Sequence, residues 1–105
     1  MSISRDMTRK ITRQPEHPGE YLAEIIQDID SLTQSSLAKE LGVSFRTINQ
    51  ICNKRRSVTP EVALKLSKFF GTTPQSWLNM QQTYDLWKAE QNTDLSGIRT
   101  LSVAI

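Results

Sequence analysis

The sequence predicts an all-α domain of five helices, with a polar arm before it and a short tail after it. Three observations support this fold class. Apolar residues recur three and four positions apart in five segments, which is helical spacing. Residues that typically cap helix starts precede these segments, and Gly42 and Gly71 follow two of them. The 105 residues suffice for one modest helical core, and we expect no second domain.

The chain before the first helix, residues 1–16, reads as a flexible basic arm because it lacks lasting apolar periodicity. Such an arm either contacts DNA or has no specific role. The first helix is expected to begin after Pro18-Gly19 and to end near Asp28. Its predicted buried stripe consists of Tyr21, Leu22, Ile25, Ile26 and Ile29.

The second and third helices lie within Gln34–Asn53 and have the spacing of a helix-turn-helix. Thr33 and Ser44 are the expected N-caps, and Gly42 can adopt the left-handed conformation that the turn needs. Ala38 is small enough to let the two helices cross closely. The predicted shared core consists of Leu37, Leu41, Val43, Ile48 and Ile51. The alternative is an ordinary helical hairpin whose second helix is only solvated.

The outward face of the third helix carries side chains that can recognise bases. A merely solvated helix would favour Glu and Lys, whereas Asn and Gln can bond adenine, Arg can bond guanine, and an aromatic ring can contact a thymine methyl. The cations Lys54, Arg55 and Arg56 follow at once and suit the flanking phosphates. We therefore expect DNA bases to be read by Ser44, Phe45, Arg46, Thr47, Asn49, Gln50 and Asn53.

The charge distribution agrees with a DNA-binding side. The whole chain carries a net charge of only +2. Between Lys39 and Lys68, seven Lys and Arg residues stand against two Glu residues, a net charge of +5. Residues 17–30 contain four acidic side chains and no Lys or Arg, so we expect that segment to face away from the duplex.

The fourth helix is expected to have Thr59 as its N-cap, Pro60 at its first position and Gly71 at its end. Its predicted apolar face consists of Val62, Ala63, Leu66, Phe69 and Phe70. The fifth helix is expected to begin at Thr73-Pro74 and to continue to about Gln91.

The fifth helix carries apolar groups on more than one face, too many for a helix that contacts only its own core. We assign Trp77 and Leu78 to the core, and Tyr84 and Trp87 to a dimer or partner interface. The tail, residues 92–105, ends in the alternating Leu101, Val103 and Ile105. It is either a short strand that pairs with another chain, with Leu101 and Val103 in that interface, or a loosely packed tail.

Several function classes are not expected from this sequence. Cys52 is the single cysteine, which excludes an internal disulfide and a cysteine-based zinc site within one chain. His17 is the single histidine, and we assign it to the start of the first helix rather than to catalysis. Since there is no phosphate-binding glycine loop and no metal-ligand cluster, we expect neither an enzyme nor a cofactor. No apolar run suits a membrane span or secretion signal, so we expect a cytoplasmic protein with no membrane partner.

Several motifs, in order, make the chain resemble the HigA family of bacterial antitoxins, which are Cro/C1-like or XRE-type repressors also called virulence-associated protein I. The resemblance covers about three quarters of the chain. Its motifs are His17-Pro18-Gly19-Glu20, the helix-turn-helix, Thr59-Pro60-Glu61, Phe70-Gly71-Thr72-Thr73-Pro74, Trp77-Leu78-Asn79-Met80-Gln81 and Tyr84-Asp85-Leu86-Trp87.

The resemblance implies a five-helix, lambda-repressor-like DNA-binding domain. It further implies a homodimer that binds a palindromic operator in its own promoter, at the nucleoid, and that neutralises a HigB-like toxin, a RelE-like messenger-RNA endonuclease. It adds Gln34 and Ser35 to the phosphate-contacting residues Lys54, Arg55 and Arg56. A free-standing XRE-type repressor without a toxin partner would use the same DNA-contacting residues, so it stays open as the alternative. Independently, two recognition helices about 34 Å apart read more base pairs than one, which favours a dimer.

Overall fold

A computed structural model describes residues 14–102, and this range contains five α-helices. They are α1 (Pro18–Asp28), α2 (Gln34–Leu41), α3 (Phe45–Cys52), α4 (Pro60–Phe70) and α5 (Pro74–Asn92). The predicted all-α class and the order of the helices are confirmed. Residues 1–13 of the predicted arm, and Val103 and Ile105 of the tail, lie outside the described residues. Within residues 14–102, none of the helices is long and apolar enough to cross a membrane.

Side-chain caps determine where the helices begin. The hydroxyls of Thr33, Ser44, Thr59 and Thr73 accept hydrogen bonds from first-turn amides of α2 to α5, at 3.0, 3.1, 3.3 and 3.2 Å respectively. Such a cap contributes about 1 kcal/mol relative to alanine. Helix α1 starts at Pro18, earlier than predicted, because His17 caps it. His17 Nδ1 accepts from the Gly19 amide at 2.9 Å, and Glu20 Oε1 accepts from the His17 amide at 2.9 Å.

The hydrophobic core lies where the helix-turn-helix meets the other three helices. Helix α1 contacts α3 and α5, while α4 contacts α2 and α5. Trp77 is 1% exposed, and its indole N–H donates to Thr72 Oγ1 at 2.9 Å. The predicted helix-turn-helix core is confirmed, with four of its members buried and Val43 packed against them. The buried apolar residues are Leu22, Leu37, Ala38, Leu41, Ile48, Ile51, Val58, Val62, Ala63, Leu66 and Trp77.

Three apolar side chains that we expected in the core are substantially exposed: Tyr21 by 38%, Ile29 by 41% and Phe69 by 41%. Ile29 follows the last residue of α1, so helical spacing no longer places it on the buried stripe. Tyr21 and Phe69 lie at the rim of the core, where Tyr21 packs against the buried Trp77 and Phe69 against the half-buried Phe70. The ring centroid of Tyr21 lies 5.6 Å from that of Trp77, and Phe69 contacts Phe70 edge-on at 5.0 Å.

A buried polar group joins α5 to the start of α1. Gln81 is 5% exposed; its Oε1 accepts from the Val58 amide at 2.8 Å, and its Nε2 donates to Asp85 Oδ1 at 2.9 Å. His17 is 2% exposed, with its Nε2 3.5 Å from Gln81 Nε2 and its ring edge-on to Tyr84 at 4.8 Å. Burial lowers the pKa of His17, which favours the neutral ring that the cap requires. The structural role predicted for His17 fits this geometry.

Candidate nucleic-acid interface

Helix α3 is held by its inward face. Ile48 and Ile51 are both fully buried, which anchors the helix against α1 and α2. At the end of α3, Gly19 of α1 lies against the backbone carbonyl of Ile51, and a Cβ at Gly19 would overlap that oxygen. The bare glycine thus permits a backbone contact between the first helix and α3. These contacts orient α3 so that its opposite face points to solvent.

The outward face of α3 carries the side chains predicted to read bases. Phe45 is 51% exposed, unusually high for a large aromatic ring, and Arg46 is exposed one residue later. No described residue forms a hydrogen bond or an ion pair with the Arg46 guanidinium. Of the other predicted base-reading residues, Ser44 and Asn53 are exposed, while Thr47, Asn49 and Gln50 are half-buried.

Two of these residues also belong to the N-cap of α3. The hydroxyls of Ser44 and Thr47 lie 2.9 Å apart, and Ser44 Oγ accepts from the Thr47 amide at 3.1 Å. Their hydrogen-bonding capacity is therefore partly used within the chain, unlike that of Arg46. Because a hydroxyl combines one donor with two acceptor positions, each retains capacity for a second partner.

A line of amides links α2 to α3. Asn49 Nδ2 donates to Gln34 Oε1 at 3.0 Å, which connects a predicted base-reading residue to a predicted phosphate contact. Asn53 Nδ2 in turn donates to the Asn49 carbonyl at 2.9 Å and approaches Asn49 Oδ1 at 3.3 Å. Ser35, the next residue of α2, is exposed at the start of the helix. First-turn amides of a helix point outward and suit phosphate oxygens.

The turn after α3 brings three cations to the end of the helix. Lys54 has φ 62°, a left-handed conformation that costs a residue with a Cβ about 1–2 kcal/mol. The Lys54 amide donates to the Ile51 carbonyl at 3.0 Å and the Arg55 amide to the Gln50 carbonyl at 2.8 Å. This is the Schellman pattern, in which glycine is usual. The residue types at Lys54, Arg55 and Arg56 did not signal this turn, and all three side chains are exposed.

The acidic segment of α1 approaches the cationic turn at one residue. We expect this segment to face away from the duplex, and its first acidic side chain forms an ion pair, with Glu20 Oε2 3.6 Å from Lys54 Nζ. The reason is the contact of Gly19 with Ile51, which brings the first turn of α1 beside the turn that follows α3. Both side chains are about 40% exposed, so the ion pair contributes little to stability.

Arg56 forms a contact that the sequence did not reveal. Its Nε and Nη2 lie 3.0 and 2.8 Å from Gln50 Oε1, so two guanidinium N–H groups donate to one amide oxygen. Arg56, predicted to contact phosphate, is therefore joined to a residue predicted to read bases. We call this contact the Arg56–Gln50 pair.

The predicted interface residues lie on the later turns of α5 and in the tail. Tyr84 and Trp87 are half-buried, with ring centroids 6.1 Å apart, and part of the Tyr84 ring is already covered by His17. Leu86, which we did not select, is 56% exposed on the same helix, and Leu101 is 72% exposed. Residues 93–102 form no strand, and Val103 lies outside the described residues.

The remaining reactive side chain is the thiol of Cys52, at the end of α3. It is half-buried, and this burial raises its pKa, which keeps the thiol protonated and weakly nucleophilic. No group of three or more His, Cys, Asp and Glu side chains within residues 14–102 is placed to hold a metal ion.

Comparisons with known proteins match both the sequence and the fold. The helix-turn-helix family matches residues 31–77. The chain is 47% identical over 76 residues to virulence-associated protein I of Dichelobacter nodosus, which covers 72% of this chain and 70% of the relative.

Two solved structures are similar to this chain over most of its length. An addiction module antidote protein of the HigA family from Coxiella burnetii is 40% identical, with a TM-score of 0.77 over 85% of this chain and 99% of that one. The antitoxin GraA in complex with its operator is 39% identical, with a TM-score of 0.80 over 91% of this chain and 99% of that one. Both similarities extend well beyond the helix-turn-helix.

Proposed function

This chain belongs to the HigA family of XRE-type helix-turn-helix proteins, and on that premise we propose that it is an antitoxin that represses its own promoter. The observation that supports this proposal most is the surface of α3. The outward face carries exposed Arg, Asn and aromatic side chains together with a half-buried Asn and Gln. With the three exposed cations that follow, it suits major-groove bases and the flanking phosphates. GraA, which is similar over nearly the whole chain, forms a complex with its operator.

We assign direct base contacts to the outward face of α3. Arg46 is the strongest candidate because it is exposed and carries the rigid donor pair that matches guanine O6 and N7. We assign Phe45 to contact with a thymine methyl. The full set proposed to face the bases is Ser44, Phe45, Arg46, Thr47, Asn49, Gln50 and Asn53.

We assign backbone contacts to the residues on either side of that face. Gln34 and Ser35 lie at the amino end of α2, where amides point outward. Lys54, Arg55 and Arg56 form the exposed cationic turn at the other end of α3. Each phosphate that these cations neutralise releases counterions, so affinity should fall steeply with salt.

We propose that the functional unit is a homodimer on a palindromic operator. One α3 helix spans too few base pairs for a unique site, whereas two copies related by a twofold axis read two half-sites. The later turns of α5 present half-buried rings at Tyr84 and Trp87 beside the exposed Leu86, which suits a second chain. Leu101 and Val103 of the tail are proposed to extend that interface.

The proposed toxin partner is a HigB-like, RelE-like messenger-RNA endonuclease, neutralised in the cytoplasm by direct binding. The relationship to a HigA-family addiction module antidote supports a toxin partner. The alternative is a free-standing repressor without a toxin, which would use the same surface of α3. The two functions differ in whether the protein encoded by the neighbouring gene binds this chain.

The test of this proposal is co-expression with that neighbouring protein. The neighbouring gene is expressed alone, then together with this chain, and then together with Arg46→Ala. An antitoxin restores growth and copurifies with its toxin. The Arg46→Ala variant should restore growth equally well, because its defect is confined to DNA binding. If the neighbouring protein is not toxic and does not form a complex with this chain, the free-standing repressor is the remaining function.

A further inference from the structure

We propose that Arg56 fixes the side-chain amide of Gln50 so that Gln50 recognises guanine and discriminates against adenine. This inference rests on the proposed function of α3 as the base-reading helix. It adds a positioning role for Arg56 to the phosphate contact proposed above. The Arg56–Gln50 pair supports this role, because Arg56 Nε and Nη2 lie 3.0 and 2.8 Å from one oxygen of Gln50.

The partner chemistry determines which end of the amide faces Arg56. A guanidinium group has only N–H donors, so the atom that it contacts must be the amide oxygen of Gln50. Two donors occupy the two lone pairs of that oxygen. The Nε2 group of Gln50 is left at the other end of the amide, and its two N–H donors form no hydrogen bond with any side chain or backbone group of residues 14–102.

The backbone of the turn supports this arrangement. Arg56 follows Gln50 by six residues and reaches it because the left-handed Lys54 reverses the chain at the end of α3. The Arg55 amide also donates to the Gln50 carbonyl, at 2.8 Å. Gln50 is thus bonded through both its backbone and its side chain to the turn, and its half-buried side chain has reduced rotational freedom.

An amide held in this way has a base preference opposite to that of free glutamine. Glutamine normally reads adenine through two bonds, because its oxygen accepts from N6 while its nitrogen donates to N7. In the Arg56–Gln50 pair the oxygen is already occupied, so adenine N6–H would meet no free acceptor. Guanine presents two adjacent acceptors, O6 and N7, to the two N–H donors of Nε2. The neighbouring positive charge polarises the amide and strengthens these donors.

The first experiment measures base preference at one operator position. The full-length native chain is used to select binding duplexes from a random double-stranded DNA library. The position read by Gln50 is then identified as the one whose preference Gln50→Ala abolishes. We expect the native chain to prefer guanine to adenine there by about 10-fold. Arg56→Met should reduce that ratio to about 2-fold or less, because the released amide can also accept from adenine N6–H.

Arg55→Met is the matched control, since it removes the same charge from the neighbouring residue. It should weaken binding to the guanine and adenine duplexes alike and leave their ratio unchanged. A native preference for adenine at this position would overturn the inference. So would a ratio that Arg56→Met leaves unchanged while both affinities fall, because Arg56 would then contact phosphate without positioning Gln50. In either case the native chain would still bind a specific sequence, so the proposed function would stand.

The second experiment tests the Arg56–Gln50 pair without DNA. The Arg56 Nε–H signal of the free chain is followed by nuclear magnetic resonance, and its exchange with water is compared between the native chain and Gln50→Ala. We expect exchange in the native chain to be slower by about 10-fold or more, a protection of the kind that native hydrogen bonds give. Equal exchange in the two chains would show that the pair does not form and would overturn the inference. If the native chain selects no duplex sequence in the first experiment, the proposed function is contradicted instead. The exchange measurement would then still show whether the Arg56–Gln50 pair forms.

Discussion

Gly19 lies directly against the backbone carbonyl of Ile51, and this contact joins the start of α1 to the end of α3. A Cβ at Gly19 would overlap the Ile51 carbonyl and would stand only 3.0 Å from His17 Nδ1. The conflicting oxygen belongs to the backbone and cannot move aside as a flexible side chain could. The same carbonyl accepts from the Lys54 amide that shapes the cationic turn. The position of the turn therefore depends on the absence of a side chain at Gly19.

Gly19→Ala should strongly destabilise the fold. The added methyl must displace either α1 or the end of α3, and such overpacking costs about 1–3 kcal/mol or more. The free energy of unfolding, measured with denaturant, is the readout. Gly97→Ala is the control, because the corresponding Cβ would have no atom within 4 Å. It should change stability by no more than about 0.5 kcal/mol. Equal stability of the two variants would show that the contact is not close.

Stability should depend on pH through His17. Burial is the main cause that lowers its pKa below the ordinary 6.5, and Lys54 and Lys88 act in the same direction while Asp85 and Glu20 oppose it. Below about pH 6.5, His17 therefore binds a proton more readily in the unfolded chain than in the folded chain. The free energy of unfolding should therefore be constant above about pH 6.5 and should fall as the pH drops from there toward the lowered pKa.

His17→Asn is the variant that isolates this effect. Asparagine is a good N-cap and does not titrate, so the variant can keep the start of α1. Its absolute stability will differ because the ring contact with Tyr84 is lost. The informative quantity is the difference between the two stability curves as a function of pH. Parallel curves between pH 5 and 8 would contradict the prediction.

Trp87→Ala should shift the proposed dimer toward monomer. Trp87 is half-buried beside Tyr84 and the exposed Leu86, and large aromatic side chains often dominate the energy of an interface. We expect its removal to weaken dimerisation by about 2 kcal/mol, roughly 30-fold, in sedimentation equilibrium. Leu64→Ala is the control, because Leu64 is 60% exposed on α4 rather than α5. An equilibrium that Trp87→Ala does not move would place Trp87 outside the dimer interface.

The helix-turn-helix could be predicted closely because its signals are local. The hydroxyl of Thr33 or Ser44 accepts from an amide three residues later in the chain. Gly42 has a positive φ, and glycine is the residue type that most often indicates this conformation. The features that were missed depend on residues distant in sequence or on unusual residue choices. Lys54 occupies a left-handed position usually filled by glycine, and Gln81 is buried because Val58, 23 residues away, needs an acceptor.

The details of the candidate interface were only partly predictable for the same reason. Residue types indicated which side chains lie on the outward face of α3. They could not indicate that Asn49 bonds Gln34 across 15 residues or that Arg56 turns back to Gln50. Those contacts depend on how α2, α3 and the following turn are placed in three dimensions. The ionic contact of Glu20 with Lys54 likewise follows from the meeting of α1 and α3.

The most direct test of the central claim, that α3 reads specific bases, is a comparison of affinities for a selected duplex and a scrambled duplex. Native chain, Arg46→Ala and Arg55→Ala are titrated with both by fluorescence anisotropy at several salt concentrations. Arg46→Ala should lose about 1–3 kcal/mol for the selected duplex and little for the scrambled one. Arg55→Ala should weaken binding to both duplexes alike. It should also reduce the slope of log affinity against log salt concentration by about one. Equal affinity of the native chain for the two duplexes would contradict the account. So would the finding that Arg46→Ala, and Gln50→Ala titrated in the same way, both keep the full native affinity for the selected duplex.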